Sequence, residues 1–419
     1  MARLKRELGL ASATIFGIAV IVGAGIYALI GAATSIAGSG VWLSFLIAAF
    51  VAMLTALSFA ELSSMFTGAG SSYLYVFKGT HSRLLGFITG WLILFETVVG
   101  VAAIAMAFGG YFASLLPIPI MAAALGIIIL LSIVNLVGIK ESARLNSVLF
   151  VMEIGGLLFV IGAGFLLGQA NPDLLDFQLT PVLSGAALVF FAMLGFEMIA
   201  SESDEAKEPS RTIPHAILLS IGICAVLYAL FSIASLMLVG PDVLGASTAP
   251  VRDVVLPILG EYSFIFSIIA LASTASTVLI CLITASRLSY GMAKAKSLPR
   301  FLSAVSSRFR TPHLAVLSAL LVSAAFLLIA NLVIIAEVTN FAALAAFFFI
   351  NLSAVLLRRR NPGARRPFRM PFAVANIPLP ALLGALASLF LIFYLSQEAI
   401  MYGVGLVILG GAVHLLQKG

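Results

Sequence analysis

The fold is decided by the stretch Phe16-Gly17-Ile18-Ala19-Val20-Ile21-Val22-Gly23-Ala24-Gly25-Ile26. The stretch carries no charge, and two glycines flank one alanine in the middle of an apolar run. Because glycine tolerates non-helical dihedral angles, this pattern predicts a membrane helix that is interrupted at Gly23-Ala24-Gly25. Such an interruption frees N–H groups that attract a carboxylate and carbonyl groups that can hold a cation. The alternative interpretation is a close helix–helix contact made by small residues.

The composition around this stretch is that of a membrane protein. Of the 419 residues, 62% are apolar and only 10% are charged, whereas soluble domains carry about 25% charged residues. Uncharged runs such as 43–59, 122–137 and 314–330 are long enough to cross a hydrocarbon layer of about 30 Å as helices. These runs are apolar on every side and do not alternate as barrel strands do. The sequence therefore predicts an all-α integral membrane protein.

Hydropathy and turn signals predict about twelve transmembrane helices, numbered here as spans 1 to 12. The spans cover 12–36, 41–66, 84–114, 120–138, 147–168, 182–201, 213–239, 262–291, 314–331, 333–357, 378–396 and 398–416. If the N-terminus is cytoplasmic, all but one of the 23 basic residues fall on the cytoplasmic side, and the exception is Arg252. We therefore expect a multi-pass protein of the cytoplasmic membrane with both termini inside the cell. The net charge of +6 then reflects topology and needs no nucleic-acid partner.

Span 6 repeats the interruption of span 1. Its residues 189–197 place Gly195 near mid-membrane, and a carboxylate, Glu197, follows directly. Paired interruptions at matching positions of two halves indicate an inverted-repeat transporter with a binding site near the midplane. We expect a cytoplasmic N-terminal segment over 1–11, a first repeat over 12–168 and a second repeat over 182–357. The last two helices, 378–416, would lie outside this 5+5 arrangement.

Five segments in order along the chain resemble the amino acid–polyamine–organocation permeases. They are the glycine motif 23–26, the end of span 2 with its following segment over 61–75, and the segments 138–146, 202–214 and 286–299. The segment after span 6 is the most specific of the five. The resemblance covers nearly the whole chain and implies the bacterial leucine-transporter fold and an amino acid substrate.

The resemblance also implies the roles of individual residues in a substrate site. The backbone of Gly23, Ala24 and Gly25 would hold the substrate carboxylate. Carbonyl groups of Ile21 and of span 6 near Phe190 would take its ammonium group, and the ring of Phe191 would close over it. The complete set of candidate substrate-binding residues is Ile21, Gly23, Ala24, Gly25, Ile26, Phe190, Phe191, Ala192 and Gly195.

A carboxylate inside a membrane span is energetically expensive and invites a functional interpretation. The ones predicted to lie within spans are Glu61, Glu96, Glu153, Glu197 and Glu337. For Glu61, Glu96 and Glu337 a structural partner is the simpler expectation. Glu153 falls where the resemblance implies a lysine in many proton-coupled members, so it reverses the expected charge. It could carry a proton, help to hold a cation, or pair with a neighbour.

Span 8 carries hydroxyl groups that could hold a sodium ion. Ser273 shares a helix face with Ser276 and Thr277, because residues three and four apart lie on one side of a helix. The resemblance implies that such hydroxyls join span 1 carbonyls around sodium in sodium-dependent members. The alternative is that they bond their own helix backbone. The coupling ion, proton or sodium, therefore stays open, and no other cofactor or metal is expected.

Other classes of function fit the sequence less well. A channel would need a continuous polar pore, and a sensor would normally add a soluble signalling domain. An intramembrane enzyme would need a nucleophile–base or metal constellation, and the four histidines lack metal-ligand spacing. Among transported compounds, polyamines and other organic amines are the alternative to amino acids. We expect no obligatory protein partner and contact with membrane lipid.

Two further expectations concern side chains in the spans. Cys224 and Cys281 lie in apolar spans and are predicted to be small buried side chains, not a disulfide or a metal site. The pocket-facing side of span 3 is expected around Val99, Ala103 and Ala107, which would suit a neutral substrate. A cationic substrate would instead need Glu96 or Glu197 near the site.

Overall fold

A computed structural model describes residues 8–23, 25–66, 71–138, 143–169, 172–201, 203 and 206–417. Its helices, in chain order, are α1 (Leu10–Val22), α2 (Gly25–Ala37), α3 (Val41–Met65), α4 (Ser71–Thr80), α5 (Arg83–Ala113), α6 (Ile120–Val137), α7 (Ala143–Leu167), α8 (Leu179–Val189), α9 (Phe196–Ser201), α10 (Pro209–Ala246), α11 (Pro250–Leu259), α12 (Phe264–Lys294), α13 (His313–Leu327), α14 (Leu332–Arg360), α15 (Leu379–Ile392) and α16 (Gln397–Leu416). A short antiparallel hairpin pairs β1 (Ala373–Val374) with β2 (Ile377–Pro378).

These helices confirm the predicted all-α membrane fold. Each predicted span contains helix, and α4 and α11 are two helices that the span prediction did not include. Within the described ranges, nine apolar helical stretches are long enough to cross a membrane, and α1, α13 and α15 are shorter apolar helices. The assignment of repeats to 12–168 and 182–357 remains a prediction.

The two predicted interruptions are present in the backbone. Span 1 is divided into α1 and α2, and between them Gly23 has a φ of −3° and a ψ of −110°, far from helical values. Span 6 passes from α8 into a 3₁₀ turn over Phe190–Met193, then into extended Leu194, and restarts as α9. Gly195 has a φ of +106°, a value that favours glycine because a side chain would be strained there.

The helices divide into an enclosed group and a lipid-facing group. The long helix α5 packs against α6, α12 and α14, and α10 packs against α1, α2, α3 and α7. By contrast, only about a fifth to a third of the most apolar stretches of α6, α7 and α16 is buried. Their outward side chains include Leu130, Leu166 and Ile408, which are 57%, 83% and 67% exposed. Apolar surface on this scale requires lipid as its solvent.

Two of the predicted intramembrane acids have structural partners, as expected. Glu61 on α3 accepts hydrogen bonds from the guanidinium groups of Arg358 and Arg366 and from the N–H of Met370. Glu337 on α14 accepts a hydrogen bond of 3.1 Å from the N–H of Ser396, in the turn before α16. Both carboxylates are buried and satisfied by their partners, so neither is needed to explain the cavity described next.

Candidate functional site

A cavity of about 50 Å³ lies where the two interrupted spans meet. It is bounded by backbone and side chains of spans 1, 3, 6, 8 and 10. The lining residues are Val20, Ile21, Gly25, Glu96, Thr97, Gly100, Ile104, Phe191, Leu194, Gly195, Met198, Thr277, Ile280, Cys281 and Thr339. The volume is enough for a few water molecules at most, so the surrounding helices enclose the site closely in this conformation.

The span 1 side of the cavity is formed by the beginning of α2. The first N–H groups of a helix have no partner in their own helix, and the helix dipole adds a partial positive charge there. Gly25, the first residue of α2, lines the cavity and lies against the backbone of Ala192, so closely that an added Cβ would overlap it. On the other side of the break, the carbonyl oxygen of Ile21 accepts a 2.8 Å hydrogen bond from the Tyr228 hydroxyl.

The span 6 side has a different arrangement, because its own carboxylate occupies the start of α9. The two carboxylate oxygens of Glu197 lie 3.1 and 3.0 Å from the N–H of Gly195 and accept its hydrogen. A negative charge at a helix N-terminus is stabilised by the dipole and by such N–H groups. The N-terminus of α9 is thus occupied by a carboxylate of the protein itself. At the N-terminus of α2, no acidic side chain of the described residues occupies the corresponding position, so an anion from outside could bind there.

A second carboxylate faces Glu197 from span 3. Glu96 lines the cavity, is only 5% exposed, and lies close enough to Glu197 for the two groups to interact electrostatically. Its Oε2 atom lies 3.3 Å from the Thr97 hydroxyl oxygen, which donates its proton over a shorter distance, 2.9 Å, to the carbonyl of Ile93. Cys281 on α12 also lines the cavity and lies near both carboxylates. The part of the chain that the structure describes places no cationic side chain among the lining residues.

The cavity corrects the expectation for span 3. The lining residues on α5 are Glu96, Thr97, Gly100 and Ile104, a face that carries a carboxylate and a hydroxyl. Val99, Ala103 and Ala107 are buried but are not among the lining residues. The prediction of this face was wrong because α5 packs against other helices on several sides. Its apolar residues therefore do not indicate which side meets the cavity.

Polar side chains of spans 5 and 8 lie next to the interruption of span 1. The hydroxyl of Ser273 donates a hydrogen bond to the carbonyl oxygen of Gly23. The carboxyl group of Glu153, only 5% exposed, lies near the same hydroxyl. Thr277 lies against Gly23 and donates to the carbonyl of Ser273 at 2.9 Å, so its proton bonds its own helix. Glu153, Ser273 and Thr277 thus lie near the span 1 break; the fourth ion-coupling candidate, Ser276, is half-buried on the same helix, as Thr277 is.

The predicted substrate residues fall into two groups in the structure. Ile21, Gly25, Phe191 and Gly195 line the cavity. Gly23, Ile26, Phe190 and Ala192 lie beside it: Phe190 is fully buried and packs edge-on against Phe347, and Ala192 contacts Gly25. Ala24 lies outside the described residues, as do parts of the family-like segments after spans 2, 4 and 6.

Several lining residues were not identified from sequence. Thr97 and Thr339 are common membrane-helix residues that usually bond their own backbone, and both do so here, to Ile93 and Ile335. The two cysteines are buried and unpaired, as predicted. The prediction missed that Cys281 borders the cavity. Glu96, Gly100 and Ile104 are spaced four residues apart and so share one helix face. This spacing was the signal in the sequence that could have identified the cavity-facing side of span 3.

A cavity held between two helices that are interrupted at membrane depth is the arrangement that secondary transporters use for substrate binding. Comparison with known proteins agrees with this class. The family model described as "Amino acid permease" matches residues 8–406. The chain belongs to the amino acid permease family, and it is a multi-pass membrane transporter, not an enzyme.

Relatives with named substrates differ in those substrates. The branched-chain amino acid permease BcaP of Bacillus subtilis is 30% identical over 99% of this chain and 93% of its own length. The methylthioribose transporter of the same bacterium is also 30% identical, with the same coverage. Human cationic amino acid transporter 4 is 29% identical over 85% of this chain and 60% of its own length.

Proposed function

We propose that this protein is a secondary active transporter that carries amino acids across the cell membrane by alternating access. The observation that carries the proposal is the meeting of the α2 N-terminus with the cavity at Gly25. A free helix N-terminus binds a carboxylate, which every α-amino acid carries. The names of two of the relatives above, an amino acid permease and an amino acid transporter, support the same substrate class.

The ends of the substrate can be assigned by charge. The substrate carboxylate would accept hydrogen bonds from the N–H groups at Gly25 and Ile26, since Glu197 already occupies the corresponding position at α9. The α-ammonium group would donate to carbonyl oxygens of Ile21 and of the turn at Phe190 and Phe191. The Ile21 oxygen accepts one hydrogen bond from Tyr228 and has a second lone pair for the substrate. The Phe191 ring, which lines the cavity, would cover the bound molecule.

The substrate side chain would then extend towards Glu96, Glu197 and Cys281. Two carboxylates that interact in a buried site need a positive charge for balance, because isolated buried charges are strongly disfavoured. A cationic side chain of the substrate, or a proton when the site is empty, would supply it. We therefore favour amino acids with a cationic side chain over the branched-chain amino acids. This replaces the expectation of a neutral substrate, which rested on Val99, Ala103 and Ala107.

We further propose that a proton at Glu153 drives transport. A serine hydroxyl has a single proton, and Ser273 donates its proton to Gly23. Glu153 can complete this chain as a donor only when it is protonated; the ionised form would compete with Gly23 for the hydroxyl proton. Protonation would thus decide whether the carbonyl at the span 1 break keeps its partner. Tyr27, whose hydroxyl donates to the Glu153 backbone, and Tyr228 also face this carboxyl group.

In the alternating-access cycle, the helices that carry the breaks would move together. We propose that α1, α2, α3, α8, α9 and α10, which form spans 1, 2, 6 and 7, rock against the remaining helices and expose the cavity to each side in turn. The two five-span repeats, 12–168 and 182–357, would supply the symmetry of this motion, with both chain termini cytoplasmic. The packing of α10 on α1, α2 and α3 supports a common unit.

Uptake by proteoliposomes that hold the purified protein tests the proposal. Labelled arginine, lysine, leucine, valine, putrescine and methylthioribose are each offered with an inward proton gradient, an inward sodium gradient, no gradient, or unlabelled substrate inside. The proposal expects saturable uptake of the cationic amino acids that rises with the proton gradient. Uptake of putrescine or methylthioribose alone would contradict an amino acid substrate, and stimulation by sodium alone would contradict Glu153 as the coupling group.

A further inference from the structure

The first half of span 6 ends inside the protein, where its last carbonyl groups need hydrogen-bond donors. Helix α8 stops at Val189, and the chain continues as a 3₁₀ turn and then as extended backbone. The last carbonyls of a helix have no partner in the regular α-helical ladder. In hydrocarbon or in a dry protein interior, water is not available to replace that partner. The carbonyl oxygen of Leu188 already accepts a hydrogen bond from the Phe190 N–H, so the carbonyl of Ala187 in particular requires a donor from elsewhere in the structure.

Asn340 on α14 supplies that donor. Its side-chain Nδ2 atom lies 2.7 Å from the carbonyl oxygen of Ala187 and 2.8 Å from that of Leu188. The side chain is fully buried. Two carbonyl oxygens at these distances fix the orientation of the amide, since the reverse orientation would place oxygen against oxygen. Both amide N–H groups are therefore used at the end of α8.

Both segments joined by this contact, span 6 and α14, also line the cavity close to it. Along span 6, Phe191 follows Leu188 by three residues and lines the cavity with its ring. Along α14, the neighbouring Thr339 also lines the cavity. The Oδ1 atom of Asn340 has no hydrogen-bond partner among the described residues. An unpaired buried oxygen is itself unfavourable. The two bonds that the amide donates must therefore offset this cost and account for an asparagine at this buried position.

We propose that Asn340 is a positioning residue for substrate binding: it holds the end of α8 and so fixes the position of Phe191 at the cavity. This inference rests on the proposed function, because it concerns the affinity of the same cavity. A purely structural role would lower stability without changing affinity, so the two roles make different predictions.

Asn351 is a matched control on the same helix. It is also fully buried, and its side chain also makes two hydrogen bonds, donating to Thr55 Oγ1 at 2.9 Å and accepting from Ser58 Oγ at 2.6 Å. These partners lie on α3 and not at the span 6 break. Asn340→Ala and Asn351→Ala therefore remove the same side chain from the same environment, and only the first removes the donors of α8.

The experiment compares wild type, Asn340→Ala, Asn340→Ser and Asn351→Ala in lipid nanodiscs and proteoliposomes. Thermal stability without substrate, KM and maximal rate are measured for each. We expect both alanine variants to lose stability, and Asn340→Ala alone to raise KM by about tenfold or more, which corresponds to the loss of one to two good hydrogen bonds. Asn340→Ser keeps one donor and should lie between Asn340→Ala and wild type.

Each outcome decides the inference. Unchanged KM in Asn340→Ala, or the same KM increase in Asn351→Ala, overturns it. If Asn340→Ala does not fold, the KM of Asn340→Ser decides in the same way. If wild type transports no amino acid, the proposed function fails separately. The inference is then tested by the rate at which a maleimide alkylates Cys281: faster alkylation in Asn340→Ala than in Asn351→Ala supports it, and equal rates overturn it.

Discussion

The hydroxyl group of Ser273 on α12 donates its proton to the carbonyl oxygen of Gly23, at the point where span 1 is interrupted. The carboxyl group of Glu153 on α7 lies near the same hydroxyl. This relationship connects the proposed coupling group to the proposed substrate site through one side chain. Its removal should therefore affect coupling more than substrate recognition.

Ser273→Ala should leave amino acid exchange active and abolish stimulation by a proton gradient. The methyl group cannot donate to Gly23 or meet Glu153, so the link between the two is lost. Ser273→Thr keeps the hydroxyl and should retain stimulation. The measurement is uptake by proteoliposomes with and without an inward proton gradient, beside exchange at equal pH. Full gradient stimulation in Ser273→Ala would show that Glu153 is not coupled through this residue.

Glu153→Gln should mimic the protonated acid and make net uptake insensitive to external pH. Glutamine can donate to Ser273 at every pH, whereas glutamate can do so only when protonated. The initial rate of net uptake is measured between pH 5 and pH 8 for both proteins. A pH profile of Glu153→Gln that matches wild type would assign coupling to another group.

Gly25→Ala should weaken substrate binding strongly. A Cβ atom at this position would overlap the backbone of Ala192, so the two interrupted spans would have to separate. Gly126→Ala on α6 is the matched control, because an added Cβ there meets no atom within 4 Å. We expect KM to rise by about tenfold or more in Gly25→Ala and to stay unchanged in Gly126→Ala. Equal KM in both variants would remove the start of α2 from the site.

Glu96→Gln should change which amino acids compete for transport. The substitution removes one of the two charges at the side-chain end of the cavity and keeps the size of the side chain. Competition by arginine and lysine should weaken by about tenfold relative to leucine, as expected for one lost buried charge pair. The measurement is inhibition of labelled uptake by each unlabelled amino acid. A parallel change for all three would indicate a structural role for Glu96.

Glu61→Gln should destabilise the fold without altering substrate preference. Glu61 balances the buried guanidinium groups of Arg358 and Arg366, and removal of one member of a buried ion pair costs about 3–5 kcal/mol. Arg359→Gln, at an exposed position next to Arg358, should cost about 0.5 kcal/mol or less. Unfolding titrations in mixed micelles compare the two. Similar stability losses would mean that the cluster is not a structural anchor.

The sequence predicted the fold because its signals are local and physically strong. Charge-free runs fixed the membrane class, and the glycines at positions 23, 25 and 195 identified the two interruptions. The helices α4 and α11 were missed because they are short and lie outside the membrane-length runs from which the spans were assigned. The lining of the cavity was predicted in part, since Ile21, Gly25, Phe191 and Gly195 stand next to the glycines that mark the breaks.

The rest of the site depends on how distant helices are rotated against each other. The sequence does not show which side of α5 faces the cavity, because α5 is apolar and buried nearly all round. The role of Asn340 was equally invisible, as one buried asparagine resembles another until its partners are known. Both lie buried on α14, and the structure alone shows that Asn340 meets α8 and Asn351 meets α3.

We propose the cavity between the two interrupted spans as the substrate site, and Cys281 allows a direct test of that assignment. This thiol lines the cavity, and the other cysteine, Cys224, is fully buried on α10. In a Cys224→Ala variant, alkylation of Cys281 by a maleimide is timed in proteoliposomes at increasing substrate concentration. We expect substrate to slow alkylation, with half-maximal protection near KM. Alkylation at the same rate with and without a saturating transported substrate would contradict it.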